Sequence, residues 1–321
     1  MLDLPTPQEL KRLLPLRQGQ IEEHRQTLRN ILSGRDPRIA LVVGPCSIHD
    51  VTTALEYARL LRECAKEVEK SCFLVMRVYA EKARTSLGWK GLLYDPHLDG
   101  SNDLYTGLFW TRELFLEIVR MGVPIATEFL DPLAASYIDD LVAWGFIGAR
   151  TAASQPHRQL ASWLPMPIGF KNCTEGNVEV AINGVIAARS PHTFLHVDEE
   201  GKLAITHSEG NLDTHIVLRG SQEAPNYGPS TIASVVQKLH QLRLKSRILI
   251  DCSHGNCQKD YLQQKEAFAS VLEQIASGNT SIMGMMLESH LQAGNALSIT
   301  DPCLDWLSTQ ELIHLTTQIH I

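Results

Sequence analysis

A (β/α)8 barrel of the TIM type is the fold class this sequence predicts, and two observations carry it. Short runs rich in β-branched and apolar residues recur eight times, separated by helix-length patterned segments. The runs are continuously apolar rather than alternating, as parallel strands buried on both faces require. Eight such units close into a barrel more readily than they form an open sheet. The chain of 321 residues suits one large core of this kind.

Residues 1–37 read as a helical N-terminal extension. Thr6-Pro7 opens "QELKRLLP", and "GQIEEHRQTLRNILSG" forms a second helix closed by Gly34. The catalytic barrel is expected over 38–321. Its strands are "IALVV" (39–43), "FLVMRV" (73–78), "PIATEF" (124–129), "FIGAR" (146–150), "PIGFK" (167–171), "HIVLRG" (215–220), "RILID" (247–251) and "SIMGMMLE" (281–288). Between them "TALEYARLLRECAKEVEK", "RELFLEIVRMG", "LAASYIDDLVAWG" and "STIASVVQKLHQLRL" carry the helical period. One interruption, "TFLHVDEEGKLAITHS" at about 193–208, alternates in strand fashion around Glu200-Gly201. It is expected to be a β-hairpin inserted before the sixth barrel strand.

A net charge of −7 argues against a nucleic-acid partner, which would need a basic face. No apolar run approaches the length needed to span a bilayer, and no secretory signal opens the chain, so a cytoplasmic protein is expected. The seven cysteines are odd in number and scattered, which speaks against a disulfide framework.

In barrels of this kind the chemistry sits at the C-terminal ends of the strands. The residues found there are Cys46 in "GPCSIHD", Arg77 with Lys82 and Arg84, Glu128 in "TEFLD", Arg150 in "GARTAASQ", Lys171 in "GFKN", Arg219 in "LRGS", His254 in "DCSHGN", and Glu288 with His290 in "LESH". They sort into two sets. Arg77, Lys82, Arg84, Arg150, Lys171 and Arg219 form a cationic funnel suited to carboxylate and phosphate oxyanions. Cys46, His254 and Glu288, joined by Asp301 from "SITDP", offer sulfur, nitrogen and oxygen donors. Such a mixed set favours a first-row divalent ion over Mg2+ or Ca2+.

Taken singly, each of these residues has a plainer reading. A lone Cys after an apolar strand is usually a packing residue, a lone His a hydrogen-bonded structural one, and a lone Arg one half of an ion pair. Lys90 and Arg112 keep that plain ion-pair reading, Cys64, Cys72, Cys173 and Cys257 are packing residues, and Glu128 balances nearby cations as readily as it serves catalysis. The joint placement at every strand end reverses the judgement for the rest.

The segments "GPCSIHD", "MRVYAEKARTSLGWKGLLYDPHLDGS", "GARTAASQPHRQLAS", "GFKNCTEG", "HIVLRG", "IDCSHGN", "MMLESHLQAGN" and "SITDPCLDW" resemble, in order, the motifs of the class I 3-deoxy-D-arabino-heptulosonate 7-phosphate (DAHP) synthases. The resemblance covers nearly the whole chain from about Leu10 onward. It implies a transferase of the shikimate pathway that condenses phosphoenolpyruvate with erythrose 4-phosphate. Carried over by motif, Cys46, His254, Glu288 and Asp301 match metal ligands. Mn2+ is the first choice of ion, with Fe2+, Co2+ or Zn2+ as alternatives. Arg77, Lys82, Glu128, Ala149, Arg150, Lys171 and Arg219 match the phosphoenolpyruvate subsite, and Arg84 with Thr85 the aldose-phosphate subsite. Lys82, His254 and His290 are the proton-transfer candidates, and Cys303 is expected to reach Cys46. A homodimer or homotetramer is implied as well.

The chain departs from the family pattern at four places. Ala83 stands where the family's loop has proline, which would fix φ there. Ala153 replaces a common Glu, Pro165 replaces a polar residue, and the stretch from Glu288 to Asp301 is shorter. Two other readings remain: a related phosphoenolpyruvate-dependent 3-deoxy-ulosonate synthase acting on a different aldose phosphate, and a non-catalytic sensor of phosphometabolites.

Overall fold

Eight parallel strands close on themselves in the computed structural model, which describes residues 4–16, 19–294 and 301–319. They are β1 (Ile39–Gly44), β2 (Cys72–Arg77), β3 (Ile125–Glu128), β4 (Trp144–Ile147), β5 (Ile168–Lys171), β8 (Thr214–Leu218), β9 (Ile248–Asp251) and β10 (Ile282–Glu288). β1 pairs with β2 on one side and β10 on the other, with Gly44 opposite Glu288. That seam joins the first strand to the last. The strands are buried almost throughout, as their unbroken apolar character requires. Each fully buried Leu, Ile or Val contributes about 1.5–3 kcal/mol through the water it sheds.

Seven of the strands are followed by an α-helix: α3 (Val51–Val68), α4 (Leu104–Arg120), α5 (Gln155–Trp163), α6 (Glu179–Ala188), α7 (Pro229–Gln241), α8 (Gln264–Ala276) and α9 (Trp306–Leu315). The exception is the connection from β3 to β4. The helical period of "LAASYIDDLVAWG" predicts a helix there, and the structure instead has two short 3-10 turns, Ala135–Tyr137 and Asp139–Leu141, with Trp144 already in β4. Competition for the backbone carbonyls explains the difference. Arg112 donates to Tyr137 O, and Arg25 donates to Asp139 O and Val142 O. The side chains of Asp139 and Asp140 are taken by Lys11 and Arg112.

Arg112 is thus an ion-pair residue, as its plain reading holds. It is not at the surface, however, but fully buried (0 % exposed) and forked onto Asp140. α4 carries it inward, and Leu14 O accepts from its remaining nitrogens. Lys90 is exposed and lies over the ring of Tyr94.

Two helices precede the barrel. α1 (Pro7–Leu13) opens on a reciprocal cap between Thr6 and Glu9, and α2 (Gln20–Ser33) ends at Gly34, whose φ of +76° is the left-handed conformation that glycine adopts most readily. The hairpin is β6 (His192–Val197) against β7 (Leu203–Ser208), antiparallel, and it stands just before the sixth barrel strand, β8. Lys11 ties it down: its ammonium reaches Asp139 at 2.8 Å and Glu199, in the hairpin turn, at 2.7 Å. The outward face of the hairpin is apolar, with Leu195, Leu203 and Ile205 about two-thirds exposed (69 %, 72 % and 67 %). All seven cysteines are free thiols. No helix among the described residues is long and apolar enough to cross a membrane.

Candidate active site

The strand ends meet in one cavity with two lobes. The larger, about 880 Å³, is walled by Arg150, Arg219, His254, Glu288 and Asp301 among others, and the smaller, about 250 Å³, by Cys46, Arg77, Tyr79, Glu81, Lys82 and Glu128. Thr85, Arg150, Arg219, His254 and Asp301 border both. Chain distance explains why only the fold reveals this: Cys46 and Asp301 are 255 positions apart.

One side of the cavity is a donor cluster. The Sγ of Cys46 and carboxylate oxygens of Glu288 and Asp301 lie within 4.8 Å of one another. His254 borders them, with Nε2 3.6 Å from Glu288 Oε1. Its backbone φ of +58° is a left-handed conformation uncommon for a side chain of this size. Thiol, carboxylates and imidazole together fit a first-row divalent cation.

The cluster's charges are interlocked with the cations beside it. Burial, and then Glu288, push the Cys46 thiol up to about 11, against the pull of Lys82 and Arg77. Lys82 Nζ stands 2.8 Å from Cys46 Sγ and 3.2 Å from Asp301 Oδ2. Burial alone would lower the Lys82 ammonium, but Cys46, Glu288 and Asp301 raise it above the usual range. For Asp301 burial works upward, and Lys82 and His254 bring its carboxyl below the usual value.

The other side is cationic. Arg77, 2 % exposed, donates to Glu288 Oε1 at 2.9 Å and to the carbonyls of Pro45 and Cys46, and its guanidinium lies 3.7 Å from the centre of the Tyr79 ring. Lys171 is buried near Tyr79 and pairs with Asp251 at 2.8 Å. Arg150 Nε donates to Thr85 Oγ1 at 2.9 Å, joining the loop after β2 to the loop after β4. Burial lowers Arg219 from its usual value. Arg84 is exposed and folds over Gly88 of its own loop. Glu128 lies so close over Gly148 that a Cβ there would meet Oε1 at 2.0 Å and would have to push the carboxylate aside.

Three of the expected site residues stand back from the cavity wall. Ala149 and Lys171 are outside both linings. His290 is 3 % exposed, and its ring stacks on His49 at 5.9 Å. Its backbone N–H donates to Leu304 O. Cys303 is fully buried, and Cys46 is near enough to raise its thiol.

Three participants escaped sequence reasoning. Tyr79 and Glu81 continue beyond β2 with the two-residue alternation that starts at Arg77, a legible signal. Burial lifts the Glu81 carboxyl to about 8; neighbouring Asp131 and Glu128 add to this, while the backbone N–H groups of Leu130 and Asp131 oppose it. Asp251, an acid closing an apolar strand just before Ser-His, is the third.

Comparison with known proteins agrees with this architecture. Residues 15–320 match the family described as the DAHP synthetase I family. The Tyr-sensitive phospho-2-dehydro-3-deoxyheptonate aldolase of Escherichia coli K12 is 47 % identical over 97 % of this chain and 91 % of its own. The Trp-sensitive enzyme of the same strain is 43 % identical over 97 % and 93 %, and the tyrosine-inhibited enzyme of Schizosaccharomyces pombe is 44 % identical over 91 % and 83 %. A solved phospho-2-dehydro-3-deoxyheptonate aldolase from Francisella tularensis superposes with a TM-score of 0.96 at 40 % identity, covering 100 % of this chain and 98 % of that one. With a barrel, a cation-lined cavity and full-length similarity in agreement, this chain belongs to the DAHP synthetase I family.

Proposed function

We propose that this chain is a DAHP synthase, a transferase that condenses phosphoenolpyruvate with erythrose 4-phosphate and water to give DAHP and phosphate at the entry to the shikimate pathway. The observation that carries the reading is a single cavity in which a Cys46–Glu288–Asp301 donor cluster faces Arg77, Lys82, Arg150 and Arg219. Two phosphorylated substrates need about that many cations, and the donor set supplies a place for the electrophile.

Cys46, His254, Glu288 and Asp301 would hold the divalent ion, with Mn2+ preferred and Fe2+, Co2+ or Zn2+ compatible with the same donors. When bound, the ion supplies Lewis acidity toward the aldehyde oxygen. Arg77, Arg150, Lys171 and Arg219 orient the carboxylate and phosphate of phosphoenolpyruvate with Glu128 beside them, while Arg84 and Thr85 hold the aldose phosphate. C3 of the enol then attacks the aldehyde carbon. Lys82, charged and next to the donor cluster, delivers a proton to the new alkoxide, with His254 as the second proton-transfer group. Water adds at C2 and the C–O bond to phosphate breaks. His290, stacked on His49 and outside both linings of the cavity, is the third proton-transfer candidate.

A second reading, a sister synthase for another aldose phosphate, is favoured by Ala83 beside the exposed Arg84 and Thr85. Phosphate release from phosphoenolpyruvate under Mn2+ with a panel of tetrose, pentose and hexose phosphates separates the two; no release with erythrose 4-phosphate refutes the first. A passive sensor would not need the donor cluster, which is intact. A cytoplasmic homodimer or homotetramer completes the reading, supported by the outward apolar face of the hairpin, and sedimentation of the purified protein tests its assembly.

A further inference from the structure

One carboxylate below the cavity serves both of its sides. Asp251 closes β9 with no exposure to solvent. Its Oδ1 accepts from the backbone N–H of Ser253 at 3.0 Å and from Ser253 Oγ at 2.5 Å. Its Oδ2 accepts from Lys171 Nζ at 2.8 Å and lies 3.0 Å from His254 Nδ1. Asn256 donates to the Asp251 backbone carbonyl at 2.8 Å and fixes the strand end. His254 Nδ1 also lies 2.7 Å from Ser253 Oγ, whose own hydrogen goes to Asp251 Oδ1, and an ionised carboxylate only accepts, so with both neighbours acting as acceptors the hydrogen belongs to Nδ1. That leaves the lone pair on Nε2, the nitrogen 3.6 Å from Glu288 Oε1 at the donor cluster.

We infer that Asp251 is a positioning residue that couples the phosphoenolpyruvate subsite to the metal subsite, because one oxygen holds both Lys171 and His254. The inference rests on the roles given to Lys171 and His254 in the proposed function. Carboxylates behind a metal-binding imidazole set its tautomer and raise its basicity. Here the same atom also neutralises a substrate-binding lysine. A phosphoenolpyruvate anion that draws on Lys171 leaves more of Oδ2 to His254, and a cation on Nε2 strengthens the Nδ1–H bond and loosens the hold on Lys171. Each ligand therefore tightens the other, and by thermodynamic linkage the two effects are equal in size.

Calorimetric titration of the full chain with Mn2+, with and without phosphoenolpyruvate, tests this on wild type, Asp251→Asn, Lys171→Met and the double variant. Wild type is expected to bind Mn2+ more tightly when phosphoenolpyruvate is present. Asp251→Asn is expected to bind Mn2+ about 10- to 100-fold more weakly in the absence of phosphoenolpyruvate, and the mutual tightening disappears. Lys171→Met, which leaves Oδ2 wholly to His254, is expected to bind Mn2+ more tightly than wild type does without phosphoenolpyruvate, and to lose phosphoenolpyruvate. Asp251→Asn leaves the Lys171 ammonium buried without a counter-charge, so the double variant, which removes both charges, guards against a mere folding defect. It should recover the thermal midpoint and still bind Mn2+ weakly. Wild-type Mn2+ affinity in a folded double variant, or intact mutual tightening in Asp251→Asn, overturns the coupling alone. A wild-type protein that binds neither Mn2+ nor phosphoenolpyruvate overturns the functional reading and the coupling with it.

Discussion

Replacing Glu81 by glutamine should stabilise this protein, and more so as the pH rises. Glu81 is 5 % exposed, its carboxyl accepts only from two backbone N–H groups, and Asp131 and Glu128 stand nearby. Its folded-state value of about 8 lies far above the usual 4.5. Between those two values the unfolded chain has released a proton that the native protein retains, so stability falls as pH climbs from 4.5 to about 8 and then levels off. Each pH unit in that window costs about 1.4 kcal/mol. Glutamine carries no charge in either state and escapes the loss. It forfeits about 1 kcal/mol, since one backbone N–H loses its acceptor. The advantage of Glu81→Gln over wild type should therefore grow by about 3 kcal/mol from pH 5.5 to pH 8.5. Denaturant midpoints of both proteins across that range measure it. A difference that stays flat with pH refutes the reasoning, because it means Glu81 titrates alike in the folded and unfolded states.

Other perturbations follow from the same contacts. Arg112→Ala leaves Asp140 and three backbone carbonyl contacts unanswered at a buried site and should cost about 3–5 kcal/mol in unfolding experiments; a loss below about 1 kcal/mol would count against the pair's structural role. Gly148→Ala drives a methyl group into the Glu128 carboxylate, and steady-state kinetics should show the KM for phosphoenolpyruvate rising about tenfold, roughly 1.4 kcal/mol, with the thermal midpoint nearly unchanged. Chelation of divalent ions should abolish activity, and mild oxidation of the stripped protein should join Cys46 to Cys303, which peptide mass spectrometry detects. Mn2+ uptake should weaken as pH falls, since the Cys46 thiol, held near 11, must release its proton to bind metal; titrations at stepped pH check this.

The barrel was legible because its signal is redundant. Eight apolar runs and the charges that end them repeat one rule, and an error in one unit leaves the other seven intact. The failure at "LAASYIDDLVAWG" has the opposite cause. That segment has the helical period, but Arg25 and Arg112, which take its carbonyls, come from helices far away in the chain, and nothing local announces them. Arg112 itself, on the face of an amphipathic helix, reads as a surface charge until its buried partner is known. Within the site, the thiol and the basic residues were found by their position after a strand, whereas Tyr79, Glu81 and Asp251 were not. Asp251 meets other side chains and Glu81 backbone N–H groups, and acidic residues near strand ends are common enough that chemistry alone does not single them out. His290 shows the converse: proximity in sequence to Glu288 suggested a shared role, yet its ring stacks on His49 and lines neither lobe of the cavity.

The seam between β1 and β10 also sets a timetable. Cys46 emerges early in synthesis, while Glu288 and Asp301 come near the end, and they become neighbours only when the last strand docks on the first. If these residues hold a divalent ion as proposed, its capture is a late event that reports completion, and free ion stabilises only molecules that have finished closing. For a protein whose first and last strands share one reaction centre, loading with metal doubles as an inspection of the assembled ring.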